Sequence, residues 1–351
     1  MTRIRPKLKT YQTYCQRELL DLISKDFLDF SLTHTNNQQA YEFTLSNKTR
    51  VSILADGILG VNLSSTNPKT KSIVLSCGVH GNETAPIEIC NQLVSAILKG
   101  EITTTHRVLF IFGNLDAMVI AERFVEENLN RLFSREINST SLEGKLAQQI
   151  MKIVDSFFDS AKGDKFHYDL HTAIRPSKNE KFAVYPFLHG GQYSKDQLRF
   201  LSACDVNTIL LSQTPTATFS YFSSFNYEAH AFTVELGKVK PFGQNDMSSF
   251  TAVTRMLTEL LSESNLQLPE FSECPIEIFS VNQVIDKHYD DFKLHFADET
   301  ANFTAFSKGQ IFASETSTTY KAEFDGEAIV FPNANVAIGQ RALLTVIPYE
   351  L

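Results

Sequence analysis

Ile73-Val-Leu-Ser-Cys-Gly-Val-His-Gly-Asn-Glu-Thr-Ala-Pro-Ile-Glu88 decides how this chain reads, because an apolar run stops at Gly78 and opens into polar residues. Ile73 to Ser76 is β-branched and apolar enough for a buried strand. Ala85 to Leu98 has apolar residues at helical spacing (Ile87, Cys90, Leu93, Val94, Ile97) and reads as the helix that follows. His80 and Glu83 lie between the two. In a parallel α/β sheet that junction is at the carboxyl edge of a strand, where ligands bind. An imidazole with a carboxylate three residues on can grip one metal ion. Glycines at 78 and 81 let the backbone turn sharply and approach a ligand closely.

Working outward, Arg107-Val-Leu-Phe-Ile-Phe112 is a second apolar strand, stopping at Gly113-Asn114, so strand, helix and strand form a β-α-β unit. Upstream, Tyr41 to Leu45, Val51 to Ala55 and Gly57 to Asn62 read as antiparallel edge strands, and Tyr11 to Leu32 as a leading helix. Downstream come one or two helical turns over Asp116 to Glu122 and a helix from Leu142 to Asp159. Lys165-Phe-His-Tyr-Asp-Leu-His-Thr-Ala-Ile-Arg175 is then a strand ending in the polar cluster Asp169, His171 and Arg175. Phe182 to Phe187, Thr208 to Leu211 and Ala231 to Gly237 are further strands, and Gln244 to Leu261 has the period of a closing helix. The loop Gln213 to Asn226 reads either as a substrate-facing lid or as a packed surface loop.

From Ser262 to Pro269 the composition shifts to Ser, Glu, Asn and Gln, and short strands separated by turn residues then run to the end. This divides the chain into a catalytic domain, residues 1–268, and a smaller all-β domain, residues 269–351, of sandwich or barrel type. The 351 residues, 43% hydrophobic, suffice for a large core plus a small one. The net charge of -8 argues against nucleic acid or an anionic membrane as partner, while leaving room for a local cluster of arginines around an anionic substrate. Five cysteines, at 15, 77, 90, 204 and 274, form no CxxC pair and favour a reducing compartment. The basic start has no apolar segment after it, so the expected location is the cytoplasm.

His80, Glu83 and His171 would together make a two-His-one-carboxylate zinc site with a fourth position open, the catalytic type. An isolated His-x-x-Glu also arises by chance, and the placement of both pieces after apolar strands is what favours a site. Arg123, Asn130 and Arg131 offer a planar fork and an amide for a carboxylate or a developing oxyanion. The other reading of Arg123, Asn130 and Arg131 is a solvated helix face with Glu122, Glu126 and Glu127 as salt-bridge partners. Glu235 sits among apolar residues, either as an edge-strand partner of Lys238 or as a general base. Asp169 either orients an imidazole or ends its strand.

Gly78-Val-His-Gly-Asn-Glu-Thr-Ala-Pro86, Asn128-Leu-Asn-Arg-Leu-Phe133, Asp169-Leu-His-Thr-Ala-Ile-Arg175, Thr233-Val-Glu-Leu-Gly-Lys238 and Pro241-Phe-Gly-Gln-Asn245 together resemble the succinylglutamate desuccinylase and aspartoacylase family, related to zinc carboxypeptidases. The resemblance covers roughly the first 245 residues, with the motifs in the family's order. It implies a zinc-carboxypeptidase-like α/β domain of mixed sheet flanked by helices, with one zinc per chain held by His80, Glu83 and His171. It makes Glu235 the general base and Arg123 the group that polarises the scissile carbonyl. Asn130 and Arg131, and with them Arg175, fall at substrate-binding positions. The implied reaction is hydrolysis of N-succinyl-L-glutamate, a small molecule with several carboxylates. Aspartoacylase-like deacylation, peptide cleavage and non-catalytic sensing of an acyl amino acid are the alternatives.

Overall fold

The computed structural model describes residues 22–33 and 40–351, and the chain gathers into two compact units. One takes the residues up to His171 together with Ala217–Ala231 and Lys240–Leu268, and the other takes Thr172–Thr216, Phe232–Val239 and Pro269–Leu351.

In the first unit, helix α1 (Phe27–Thr33) precedes strands β1 (Tyr41–Thr44), β2 (Arg50–Ala55), β3 (Ile58–Val61) and β4 (Ser72–Cys77). Helix α2 (Thr84–Leu98), strand β5 (Arg107–Phe112), the short helix α3 (Leu115–Val119), helix α4 (Leu142–Asp159) and strand β6 (Lys165–Ala173) follow. β1, β2, β3 and β5 pair antiparallel in that order, and β5, β4 and β6 pair parallel. The antiparallel strands thus lie along one edge of a parallel core, as the sequence indicates, and β4 and β5 are buried along their whole length. That is the burial expected of parallel strands covered on both faces.

Helix α4 packs its apolar stripe, including Ile150, Val154, Phe157 and Phe158, on Val74, Leu109 and Ile111. Ser141 caps it by accepting from the Gly144 N–H. Within the described residues the leading helix is interrupted at Asp26. Residues 22–25 are helical, Asp26 adopts φ 68°, and its carboxylate accepts from the Asp29 N–H, so the helix restarts at Phe27. The Tyr11 to Asp21 portion lies outside the described residues.

In the second unit, strands β7 (Phe182–Tyr185) and β8 (Thr208–Leu211) are linked by helix α5 (Lys195–Ala203). Strand β9 (His230–Lys238) runs antiparallel to β7, and β8 pairs parallel with β10 (Glu277–Asp286). The strands that complete the unit are β11 (Lys293–Leu294), β12 (Thr304–Phe306), β13 (Ile311–Glu315), β14 (Thr318–Lys321), β15 (Glu327–Val330) and β16 (Arg341–Pro348). β10, β16, β15 and β12 pair antiparallel in turn, and β11, β13 and β14 form a separate sheet. Strands β12 and β14 have no counterpart in the sequence reading. β12 has three residues, and β14 is exposed at three of its four positions, so neither carries an inside-outside alternation.

Helix α6 (Phe219–Tyr227) and helix α7 (Thr251–Ser262) belong to the first unit. The segment Gln213 to Asn226 is therefore neither a lid nor a surface loop over most of its length. Phe219 and Phe222 of α6 are buried in the α4 cluster. Helix α7 begins later than the periodicity from Gln244 indicates, because the Asp246 carboxylate accepts from the Ser248 N–H and opens a 3-10 turn over Met247–Phe250. Among the described residues no helix is long and apolar enough to cross a membrane.

Candidate metal centre

The site grows from the end of β4. Gly78 has φ 62°, and a Cβ there would lie 2.0 Å from Met118 Cε, so the turn that ends the strand requires glycine. Gly81 packs on the backbone of α3, where a Cβ would fall 2.2 Å from the Ala117 carbonyl carbon. The loop between them delivers His80, and Glu83 becomes the N-cap residue of α2. Its carboxylate makes no capping bond. It turns instead toward two imidazoles while remaining at the positive end of the helix dipole. His171 comes from β6, whose parallel pairing with β4 sets Ser76 against Asp169 and brings the carboxyl ends of the two strands side by side.

His80 Nδ1 lies 2.9 Å from Glu83 Oε1, and His171 Nδ1 lies 2.9 Å from Glu83 Oε2. Each of the three residues is at most 2% exposed, and one ligand atom from each falls within 4.8 Å of the others. The far ring nitrogens fix the tautomers. His80 Nε2 is 3.0 Å from Asn128 Oδ1, an oxygen that also accepts the Asn130 N–H, so Nε2 donates and Nδ1 carries the lone pair. His171 Nε2 is 2.8 Å from Asp169 Oδ2, a carboxylate oxygen, so it donates as well. His80 Nδ1 is buried and makes no hydrogen bond despite its closeness to the carboxylate. Lone pairs converging in a buried space call for a cation among them. Two imidazole nitrogens and a carboxylate, each imidazole braced by an outer acceptor, are a donor set that suits zinc. The His80, Glu83 and His171 group could hold a metal ion.

Electrostatics follow from the same contacts. Burial pushes His80 down to about 4, against the pull of Glu83, and the nearby Arg123 charge lowers it further. Burial also disfavours the Glu83 carboxylate, yet His80 and His171 outweigh it and hold its pKa well below the usual range. For His171, burial is outweighed by Asp169 and Glu83, which raise its pKa well above the ordinary value. Asp169 and Glu83 thus draw positive charge to His171 Nδ1, and a cation bound there satisfies the same field as a proton would.

The segment carrying Arg123 is not a helix face. It is irregular up to the 3-10 turn Leu129–Arg131. Arg123 Nη1 donates to Glu83 Oε1 at 2.6 Å, and its side chain is 30% exposed. Glu126 and Glu127 are engaged elsewhere, accepting from the Leu142 N–H and from the Ser139 and Ser141 hydroxyls. Asn130 is buried, with Oδ1 accepting from the Phe219 N–H at 2.9 Å and Nδ2 lying 3.4 Å from His171 Nε2. Arg131 donates to the Asn130 carbonyl. These residues and the metal group all lie in the first unit. In the second unit, Glu235 stands opposite Phe182 in β9 and is 7% exposed, and Lys238 is exposed. Arg175 donates to the Asp298 carbonyl.

Several residues that shape the site were not singled out from the sequence. Asn128 braces His80, and Glu143 in the first turn of α4 accepts the N–H groups of Val125, Glu126 and Glu127. Ser76 and His167 join Asp169 in the core. A signal for the last group was present: residues 167, 169 and 171 alternate along one strand and so share a face.

Residues 69–261 match the succinylglutamate desuccinylase/aspartoacylase catalytic domain, and residues 274–349 match the AstE/AspA barrel-sandwich hybrid domain. A succinylglutamate desuccinylase of Pseudoalteromonas atlantica is 57% identical over 324 residues, covering 90% of this chain and 91% of its own. The solved structure of the succinylglutamate desuccinylase from Vibrio parahaemolyticus superposes with a TM-score of 0.86 at 36% identity, covering 93% of this chain and 96% of that one. The counterpart from Chromobacterium violaceum gives 0.83 at 38% identity, covering 93% and 98%. The chain therefore belongs to the succinylglutamate desuccinylase/aspartoacylase family of hydrolases.

Proposed function

We propose that this chain hydrolyses N-succinyl-L-glutamate to succinate and L-glutamate, the last step of the arginine succinyltransferase route of arginine degradation. The observation that carries this reading is a buried His80, Glu83 and His171 group in a chain 57% identical to a protein named succinylglutamate desuccinylase. One zinc ion per chain would be held by those three residues, and when bound it supplies a Lewis acid for the carbonyl oxygen and lowers the pKa of a water.

The chain's own residues do the rest. Glu235, as general base, takes a proton from the attacking water as the oxygen bonds to the succinyl amide carbon. The Arg123 guanidinium donates to the oxyanion that develops there. The carbon-nitrogen bond then breaks, and Glu235 returns the proton to the departing glutamate nitrogen. Asn130 has its amide oxygen committed to Phe219, so its Nδ2 is the group it offers a substrate carboxylate. Arg131 and Arg175 serve the remaining carboxylates of an anionic substrate inside an acidic protein. In this reading residues 1–268 form the catalytic domain and residues 269–351 the β domain, with the family matches falling on either side of that boundary. A cytoplasmic enzyme that engages neither nucleic acid nor membrane completes the proposal.

The test is release of glutamate from N-succinylglutamate by purified protein, with and without a chelator, beside N-acetylaspartate and a C-terminal peptide. Chelator-sensitive turnover preferring the succinyl compound supports the proposal. Preference for N-acetylaspartate or the peptide replaces it with deacylation or peptide cleavage, and tight binding without hydrolysis replaces it with a sensor.

A further inference from the structure

Behind His171 runs a line of side chains that the proposed chemistry does not use. His167 and Asp169 share its face of β6, Ser76 stands in register with Asp169 on β4, and Ser223 comes from α6. Ser76, His167, Asp169 and Ser223 are all fully buried. Ser223 Oγ is 2.8 Å from His167 Nδ1, His167 Nε2 is 2.8 Å from Ser76 Oγ, and Ser76 Oγ is 2.5 Å from Asp169 Oδ1. Asp169 Oδ2 then meets His171 Nε2 at 2.8 Å.

The direction of every bond follows by elimination. The Asp169 carboxylate only accepts, so the single hydroxyl proton of Ser76 goes to Oδ1. Ser76 therefore has only lone pairs left for His167, whose Nε2–H must donate. In neutral His167 the Nδ1 is then an acceptor, and it takes the Ser223 hydroxyl proton. Both oxygens of Asp169 are thus occupied by donors on opposite sides, and the carboxylate cannot rotate away from His171. Phe219, four residues before Ser223 on α6, packs edge-to-face on the His167 ring at 4.4 Å and holds its plane. Core packing alone does not ask for such a line, since burying polar groups gains little over apolar side chains of the same shape.

We propose that Ser76, His167 and Ser223 are positioning residues that hold Asp169 as a fixed acceptor, and through it keep His171 Nδ1 turned toward a metal ion. This rests on the reading of His80, Glu83 and His171 as metal ligands. Two serines and a histidine beyond the outer acceptor then form part of what sets metal affinity.

The test is the zinc dissociation constant, from competition with a chromophoric chelator at fixed pH, with circular dichroism confirming the folded state. Ser76→Ala is expected to weaken zinc about tenfold, the low end of the effect of losing an outer bracing group, and Ser76→Thr, which restores the hydroxyl, to recover most of it. Ser223→Ala, at the far end of the line, should give a smaller weakening of the same sign. The d–d bands of the cobalt-loaded protein should shift in Ser76→Ala and return in Ser76→Thr. Equal zinc affinity in folded Ser76→Ala and wild type overturns the proposal, as does a Ser76→Thr protein no better than Ser76→Ala. If Ser76→Ala does not fold, wild-type affinity in Ser223→Ala overturns it. Wild-type protein that binds no zinc removes the metal reading itself, a result distinct from any of these.

Discussion

Arg123 Nη1 lies 2.6 Å from Oε1 of Glu83, so a partly exposed guanidinium rests directly on the buried carboxylate of the metal group. That contact engages Nη1, and the proposed role of Arg123 gives the other nitrogens of its fork to a ligand oxygen. Arg123→Ala should lower kcat/KM by about a hundredfold to a thousandfold, the cost of losing one donor to a developing oxyanion, while zinc content stays near one per chain. Arg123→Lys keeps the charge but not the fork and should recover only part of that loss. Steady-state kinetics with metal analysis on the same samples decides it, and a zinc-depleted Arg123→Ala protein would assign the residue to the metal rather than to the reaction.

Glu235 and His80 should separate by the metal their variants retain. Glu235→Ala removes the proposed proton carrier and should cost about two to four orders of magnitude in kcat with metal retained. His80→Ala removes a ligand and should lose both metal and turnover. Metal loss in Glu235→Ala would make that carboxylate a ligand or a support, and the proposed division of roles would fall.

Strands and helices were legible where their patterns are local. Arg107–Phe112, Thr208–Leu211 and Leu142–Asp159 are bounded in the structure as their periodicity indicates. His80, Glu83 and His171 could be grouped from sequence because the first two follow one apolar strand and the third lies near the end of another. The surroundings of Arg123 were legible only in part: the apolar pair Leu132-Phe133 marks an anchored segment, but the charged neighbours suggest a helix face, and the contacts to Glu143 and the 139–142 segment show an irregular loop instead. Helix α6 was hidden for a related reason: its Ser and Asn content favours a loop, and burial against α4 overrides that tendency.

Glu143 ties that loop to the fold. Its carboxylate accepts from the Asn114 side chain at 3.0 Å and from three successive backbone N–H groups, at 2.7 Å for Val125 and 3.2 Å for both Glu126 and Glu127. Glu143→Ala leaves the buried Asn114 amide and three part-buried backbone donors without that acceptor, and a loss of about 1–3 kcal/mol is expected. With Arg123 and Asn130 on the released segment, KM should rise more than zinc affinity falls. Thermal melts alongside kinetics test this, and a variant with wild-type melting and KM would show that the loop is held by other contacts.

The same kind of carboxylate gives the protein an acid limb. Burial works against ionisation of Glu143, Glu315 and Glu327, but hydrogen bonds to the charged form outweigh it and lower all three pKa values. At Glu143 the leading donor is the Val125 N–H, at Glu315 the Tyr320 hydroxyl, and at Glu327 the Thr345 hydroxyl. A group with a depressed folded-state pKa contributes stability above its unfolded value, about 4.3 for glutamate, and loses it as pH falls through the folded value. Melting temperature should therefore be flat on this account from pH 7 to about 5 and drop below about 4.3. Glu327→Gln should lower the melting temperature at pH 7, because an amide cannot accept on both sides, and should make the fall toward pH 3 shallower. The opposite pattern, unchanged stability at pH 7 with an equally steep acid limb, would place the acid sensitivity in groups other than Glu327.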